Sequence, residues 1–201
     1  MTLSLTKLLK DTPQAAPLQY CELCALALRQ SHGHVVDTAD RRLLCTCYAC
    51  GLLFDAPGAA QGRFKRVPTR YAAIPAPLFS DVQWDALGIP IGLAFFFENS
   101  ATQRVIAFYP GPAGATESQL PLDAWNGLRG REPLIASMQP DVEAALVYRP
   151  RGEEACSYVV PIDACYELVG LVRSKWSGVS GGDDVHSAIE AFFERIAERA
   201  E

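Results

Sequence analysis

The chain has 201 residues, of which 49% are hydrophobic and 20% are charged, and its formal net charge is −5. This balance is that of a globular protein, and the negative charge argues against whole-protein attraction to nucleic acid or to anionic lipid. No apolar run approaches the roughly 20 residues that span a bilayer, and the start does not resemble a signal peptide. We therefore expect a cytoplasmic protein with no membrane span, in which clustered cysteines favour metal binding over disulfides.

Composition divides the chain into four segments. Residues 1–18 are predicted to form a flexible arm, and residues 19–55, with five of the seven cysteines, are predicted to form a four-cysteine metal-binding knuckle. Residues 56–80 are rich in proline, glycine and alanine, which predicts a connector. Regular apolar patterns over residues 81–201 predict an α+β domain.

The cysteine segment contains two C-x-x-C pairs, Cys21 with Cys24 and Cys47 with Cys50, and Gly51 follows the second pair. Thiolates three residues apart on a tight turn can both face one ion. Two such turns form the tetrahedral sulfur site that suits zinc or a single iron. Gly51 is predicted to supply a positive-φ bend after the second pair. The four cysteines are therefore the predicted metal ligands, with zinc as the expected ion and iron as the alternative.

Three further residues are candidate ligands. Cys45 precedes Cys47 by two positions and would share a face with it on a strand, so it could replace Cys47 or remain a spare thiol packed near the site. Beside a metal, a fifth thiolate would have a lowered pKa and could be reactive. His32 and His34 could lie on one side of an extended segment. One of them could replace a cysteine in a site of three cysteines and one histidine, or both could be loop residues that support the ligands.

Two polar turns after residue 81 are each flanked by apolar segments, which predicts two β-hairpins. The first joins strands at Gly92–Phe97 and Arg104–Tyr109, and the second joins strands at Val142–Tyr148 and Ala155–Val160. The two hairpins together predict a mostly antiparallel sheet.

Three helices are predicted around these hairpins. Pro121–Leu128 forms a short helix between them, and a second helix begins at Asp163 with Cys165 on its apolar stripe, packed in the core. The last helix is capped by Asp183 or Asp184. The predicted fold class is α+β, with an N-terminal four-cysteine, zinc-ribbon-like knuckle followed by a mostly antiparallel sheet of two hairpins that has helices on one face.

Two other segments could each have a structural or a functional role. The glycine-rich segment Gly111–Ser118 lacks the known nucleotide-binding patterns. It is predicted to be a turn in which Thr116 or Ser118 caps the next helix, or alternatively a functional loop in which Thr116, Glu117 and Ser118 contact a ligand. The basic stretch Arg63–Arg70 is predicted to be a solvated strand or linker face, or alternatively a docking patch for an acidic partner.

Several segments carry a family resemblance: CELC, HGHVVD, RRLLCTCYACGLLF, LGIPIGLAFFF, AFYPGPAGATES, PDVEAALVYR and PIDACYELVGLVRSKWSGVSGG. From Cys21 to the last helix, the chain resembles an uncharacterised bacterial family of unknown function whose members tend to be encoded near [NiFe]-hydrogenase genes. The resemblance implies an accessory, maturation or electron-transfer role around a hydrogenase, and it implies no activity. The cysteine turns separately resemble zinc-ribbon or rubredoxin knuckles. They depart from the rubredoxin pattern because no proline follows the first cysteine of either pair and alanine follows Cys24.

These features predict a non-enzymatic metal-binding accessory protein for [NiFe]-hydrogenase maturation or operation. It would dock on a protein partner, such as a hydrogenase subunit or a maturation factor, and would not bind nucleic acid. The first alternative is a rubredoxin-like electron-transfer protein with a mononuclear iron held by the four cysteines. The second alternative is an enzyme that uses Cys45 or the Gly111–Ser118 loop.

Overall fold

The computed structural model describes residues 18–111, 113–119, 122–150, 152, 154–177 and 182–200. Apart from Leu18, the predicted flexible arm lies outside the described residues. Among the helices of the described ranges, none combines the length and the apolar character that crossing a bilayer requires.

A small antiparallel sheet forms the N-terminal part of the described chain. Its strands are β1, Gly33–Asp37; β2, Arg42–Thr46; and β3, Phe64–Arg66. They lie in the order β2–β1–β3, so the first strand is central. The short helix α1, Tyr48–Leu52, follows β2, and a turn at Ala59–Gly62 leads into β3. We call these elements, together with the residues from Leu18, the N-terminal module.

The second sheet has six strands, and every pair of neighbours is antiparallel. In chain order its strands are β4, Ala72–Ala73; β5, Leu93–Asn99; β6, Arg104–Gly111; β7, Gly114–Gln119; β8, Glu143–Tyr148; and β9, Cys156–Pro161. Their order in the sheet is β4–β9–β8–β5–β6–β7. The two predicted hairpins, β5–β6 and β8–β9, are confirmed, and they form one sheet because β8 pairs directly with β5.

Five further helices cover the six-stranded sheet on both of its faces. They are α2, Asp81–Ala86; α3, Leu122–Arg131; α4, Pro133–Ala136; α5, Ile162–Lys175; and α6, Asp183–Arg199. Helices α5 and α6 pack on one face, in a core that includes Phe95 and Leu146. Helices α2, α3 and α4 pack on the other face, in a core that includes Phe96 and Val147.

This arrangement confirms the α+β class and the antiparallel pairing, but the helices are not restricted to one face as expected. The signal for two covered faces is present in the sequence. Strand β5 begins with the uninterrupted apolar run Leu93–Phe97, and β8 contains the run Ala144–Val147, and every residue of both runs is buried. Continuous apolar runs are typical of strands buried on both faces, whereas alternation is typical of one buried face.

The glycine-rich segment Gly111–Ser118 is mostly strand, so the prediction of a helix-capping turn there is wrong. Strand β7 pairs with β6 over six residue positions, from Gly111 opposite Gly114 onward. This pairing satisfies backbone groups of Gly111 and of residues 114–118, which a cap by one side chain would not do. Ala113 lies in a turn, and Gly114 has a φ of 120°, in the region that favours glycine. Thr116 and Glu117 therefore lie on an edge strand.

The basic stretch Arg63–Arg70 contains strand β3 and is partly exposed, but its basic side chains are not free for a docking partner. Each of its four basic residues forms an ion pair within the chain, with N–O distances between 2.6 and 3.2 Å. The pairs are Arg63–Asp37, Lys65–Asp141, Arg66–Asp55 and Arg70–Glu143. Glu143 is fully buried on β8, and a carboxylate in such a place needs a partner. The basic side chains therefore neutralise acids of the same chain.

The N-terminal module and the six-stranded sheet are in direct contact. Val36 of β1 and Val67, next to β3, belong to the apolar core beneath α5 and α6. Strands β3 and β4 both lie within residues 56–80, the predicted connector. The division into arm, knuckle, connector and domain stays a prediction.

Candidate metal centre

Cys21 and Cys24 lie on a tight turn that backbone hydrogen bonds close. The N–H of Ala25 donates to the carbonyl oxygen of Cys21 at 2.8 Å. The turn places the residue after Cys24 in the left-handed region, and Ala25 adopts this conformation with a φ of 60°. Alanine carries an energetic cost there because its Cβ crowds the following carbonyl oxygen. The bend that the sequence assigned to Gly51 thus occurs in the first pair.

Cys47 and Cys50 lie at the beginning of helix α1. Cys47 is the N-cap of the helix, and its sulfur accepts a hydrogen bond from the N–H of Cys50 at 3.5 Å. Gly51 lies inside the helix without a positive φ, so the prediction of a left-handed bend at this glycine is wrong. The helical turn itself brings residues three apart to the same side, and no further bend is needed.

The four sulfurs of these two turns converge. All four Sγ atoms lie within 4.8 Å of one another, and those of Cys24 and Cys47 are 3.7 Å apart. In a tetrahedral zinc site with Zn–S bonds of about 2.3 Å, the sulfurs are separated by about 3.8 Å. The cysteines are thiols and not disulfides. Cys21, Cys24, Cys47 and Cys50 could therefore hold one metal ion, as their spacing predicted.

The negative charges of the deprotonated thiols in this cluster repel one another. Burial alone would raise the pKa of Cys21, but backbone N–H groups of Cys47, Leu23 and Cys24 donate to its sulfur, and the net effect lowers this pKa to about 6. Hydrogen bonds with the thiols of Cys24 and Cys47 raise the pKa of Cys50 to about 12. Without a cation, the cluster therefore cannot hold four thiolates at neutral pH. A bound cation would remove this repulsion, because coordination favours the deprotonated thiol.

Exposed apolar side chains flank the cysteine cluster along the chain. Nine large apolar side chains of the described residues are exposed, and seven of them flank the two cysteine pairs. We call these seven the knuckle surface: Leu18, Tyr20, Leu23, Leu26, Tyr48, Leu52 and Leu53. Cys24 is exposed, whereas Cys21 and Cys47 are buried. Exposed apolar patches of this kind mark interaction sites on otherwise polar surfaces.

Cys45, His32 and His34 form a second group, separate from the four cysteines. The Sγ of Cys45 and one ring nitrogen of each histidine lie within 4.8 Å of one another. The three alternative ligands therefore lie close to one another as a separate set. The sequence analysis had predicted instead that one of them could replace one of the four cysteines. Burial, together with the charges of Glu22 and Cys21, raises the pKa of the Cys45 thiol, so the lowered pKa expected beside a metal is not a property of the free thiol.

The sequence of this chain matches one family model, over residues 20–200. The chain belongs to the family of unknown function DUF5947. No curated protein and no solved structure matches the chain. The matched region contains both cysteine pairs, the second group and both sheets, so the candidate metal centre lies inside the family's domain. The resemblance to an uncharacterised family is confirmed, and the link to hydrogenase genes stays a prediction.

Asp163 is the site residue whose role the sequence missed. The sequence placed it only at the start of a helix, but its Oδ2 lies 2.8 Å from Nδ1 of His34, 129 positions away in the chain. No local pattern signals such a contact, because it depends on how the N-terminal module packs against α5. Cys165 itself is fully buried in the core, as predicted, and burial raises its pKa well above the ordinary value.

Proposed function

We propose that this family member is a non-enzymatic metal-binding accessory protein. Zinc held by Cys21, Cys24, Cys47 and Cys50 would stabilise the N-terminal module. The observation that carries the proposal is the approach of four sulfurs, from two separate turns, to within 4.8 Å of one another. Four thiolates with no open coordination position are the donor set of structural zinc sites, which contribute folding free energy directly. The metal thus has a scaffolding role.

The knuckle surface is the proposed docking face for a protein partner. Its side chains lie on both cysteine turns, so their relative positions depend on the metal that joins these turns. Leu53 is 67% exposed and Tyr48 is 71% exposed, values that are costly for large apolar groups without a partner. The resemblance to proteins encoded near [NiFe]-hydrogenase genes suggests a hydrogenase subunit or a maturation factor as this partner.

Elemental analysis of protein purified without added metal tests the metal assignment. We expect a colourless protein that contains zinc. A red protein with visible thiolate-to-iron absorption would contradict the zinc assignment and support the alternative, a rubredoxin-like electron-transfer protein with a mononuclear iron held by the same four cysteines. The exposure of Cys24 favours this alternative because a redox partner could approach its sulfur closely.

Binding of purified [NiFe]-hydrogenase subunits and maturation factors tests the docking face. We expect Leu53→Ser and Tyr48→Ser to weaken binding of the partner at least about tenfold, because a buried apolar anchor contributes about 1–2 kcal/mol or more. The matched control is Val82→Ser, since Val82 is 79% exposed on α2 and lies outside the knuckle surface. Equal binding by all three variants would contradict the docking face. Absence of binding to any hydrogenase component would contradict the proposed partner and leave the metal assignment intact.

An enzymatic role for Cys45 or the Gly111–Ser118 segment has less support. The pKa of the Cys45 thiol is raised, mainly by burial, which reduces the thiolate available for nucleophilic attack. Thr116 and Glu117 lie on a paired strand rather than in a loop that could close over a ligand.

A further inference from the structure

The second group, His32, His34 and Cys45, has the arrangement of a preformed ligand set. His34 and Cys45 are directly opposite each other in the β1–β2 ladder, and side chains of opposite residues lie on the same face of a sheet. His32 lies two residues before His34, and the two imidazole centroids are 4.9 Å apart. The strand register thus places one thiol and two imidazoles at a common point.

Both imidazoles are held through the same nitrogen. Nδ1 of His34 lies 2.8 Å from Oδ2 of Asp163, and Nδ1 of His32 lies 3.0 Å from the carbonyl oxygen of Arg29. A carboxylate and a carbonyl are both acceptors, so each Nδ1 carries the proton and each Nε2 presents a free lone pair. Histidines that bind metal are held in this way, with the second nitrogen donating to a carboxylate or a backbone carbonyl.

Nε2 of His32 has no other explanation in the fold. This atom is buried, and it has no hydrogen-bond partner among the residues that the structure describes. A buried polar nitrogen without a partner costs about 1–3 kcal/mol, and native proteins rarely retain such atoms without a function. A metal ion in the centre of the group would satisfy this lone pair together with the lone pair of His34.

We propose that His32, His34 and Cys45 form a second mononuclear metal site, distinct from the four-cysteine cluster, for zinc or a metal ion of similar preference. Two imidazole nitrogens and one thiolate form a mixed donor set that suits zinc and its neighbours in the transition series. Three protein ligands leave a fourth tetrahedral position for water or an exchangeable ligand, which is the pattern of reactive zinc sites rather than of closed structural ones. Asp163 is the positioning residue for His34.

A Cys45–His34–Asp163 catalytic triad is the competing interpretation of the same contacts. A triad needs a single histidine, so it would leave the buried Nε2 of His32 unexplained. A metal ion uses all three side chains and supplies the charge that favours the thiolate.

Metal stoichiometry of the full chain tests the second site. Titration of metal-free protein with Co²⁺, followed by visible absorption and by elemental analysis after zinc exchange, should reach two equivalents. One absorption spectrum should have the features of a four-sulfur site and the other those of a nitrogen and sulfur site. We expect Cys45→Ala and His32→Ala to bind one equivalent and to keep the four-sulfur spectrum, which also shows that the module remains folded.

The controls use residues of the same types elsewhere in the chain. Cys156→Ala on β9 and His186→Ala on α6 should both retain two equivalents. Saturation of the unmodified protein at one equivalent with the four-sulfur spectrum alone, or retention of two equivalents by Cys45→Ala, would overturn the second site. Loss of the four-sulfur spectrum in the unmodified protein, with the nitrogen and sulfur spectrum present, would overturn the four-cysteine assignment alone.

Asp163→Asn tests the positioning role by affinity rather than by stoichiometry. Replacing a carboxylate that holds a metal-binding histidine weakens metal affinity by about 10–100-fold. We expect this loss at the second site only, measured by competition with a chelator, and an unchanged affinity at the four-cysteine cluster. Equal weakening at both sites would indicate a general structural effect and overturn the positioning role.

Discussion

The N-terminal module and the six-stranded sheet bury very different amounts of apolar surface. The six-stranded sheet lies between two helical layers, and large side chains such as Phe96, Trp125 and Leu168 are almost fully buried in its two cores. The module has short strands, with Val35 and Leu44 among its few buried apolar residues, while much of its apolar surface is exposed around the cysteines. A small element with so little core needs another source of stability, such as a metal.

Polar contacts join the two regions in addition to the apolar core that they share. The Nζ of Lys65 on β3 lies 2.6 Å from the carboxylate of Asp141, just before β8. The carboxylate of Asp163 on α5 contacts His34 on β1. The module thus contacts the sheet and its helices through these pairs and through Val36, which packs in the shared core.

Removing a cysteine ligand should have the largest effect and should be confined to the module. Cys21→Ser is expected to abolish binding at the four-cysteine cluster and to unfold β1–β3, because structural zinc contributes roughly 10–16 kcal/mol in such modules at neutral pH. Hydrogen exchange should show loss of amide protection in β1 and β2 and persistence of protection in β5 and β8. Cys156→Ser is the control for a thiol outside the cluster. Unchanged protection of β1 in the metal-depleted Cys21→Ser variant would contradict a structural metal.

Removing a core aromatic side chain should destabilise the six-stranded sheet and leave the metal binding of the module unchanged. Phe96 is fully buried, and its ring packs against Phe79, Trp84 and Trp125. Phe96→Ala is expected to lower the free energy of unfolding of the sheet by about 3–5 kcal/mol without changing the metal content. Chemical denaturation followed by tryptophan fluorescence measures the change. The control is Val82→Ala at an exposed position, which should change the free energy of unfolding by no more than about 0.5 kcal/mol. Loss of metal in Phe96→Ala would show that the two regions unfold as one unit.

The smallest expected effect is at the left-handed turn of the first cysteine pair. Ala25→Gly should stabilise the module by up to about 1 kcal/mol, because glycine adopts a φ of 60° without the Cβ clash. The slower release of metal to a chelator would measure this gain. Ala27→Gly is the control, since Ala27 has no positive φ and glycine there should destabilise by about 0.5–1 kcal/mol. Faster metal release from Ala25→Gly would show that the bend contributes nothing to the site.

Local spacing predicted the four-cysteine cluster and the two hairpins, because three-residue cysteine spacing and strand–turn–strand patterns specify geometry within a few residues. The same local reasoning failed at Gly51 and in the Gly111–Ser118 segment. At Gly51, a helical turn replaced the expected bend. In the Gly111–Ser118 segment, residues of β7 that have no strong strand preference of their own pair with the edge of β6. Local propensity is weak where a neighbouring element offers backbone hydrogen bonds.

The sequence by itself predicted the candidate ligand types, their pairing within each C-x-x-C turn, the antiparallel hairpins and the buried stripe that includes Cys165. Only the tertiary structure decided that Cys45 joins two histidines, that Asp163 holds one of them, and that Arg70 neutralises Glu143. Those contacts connect residues far apart in the chain. Their distances depend on strand register and on the packing of the module against α5, which no short stretch of sequence specifies.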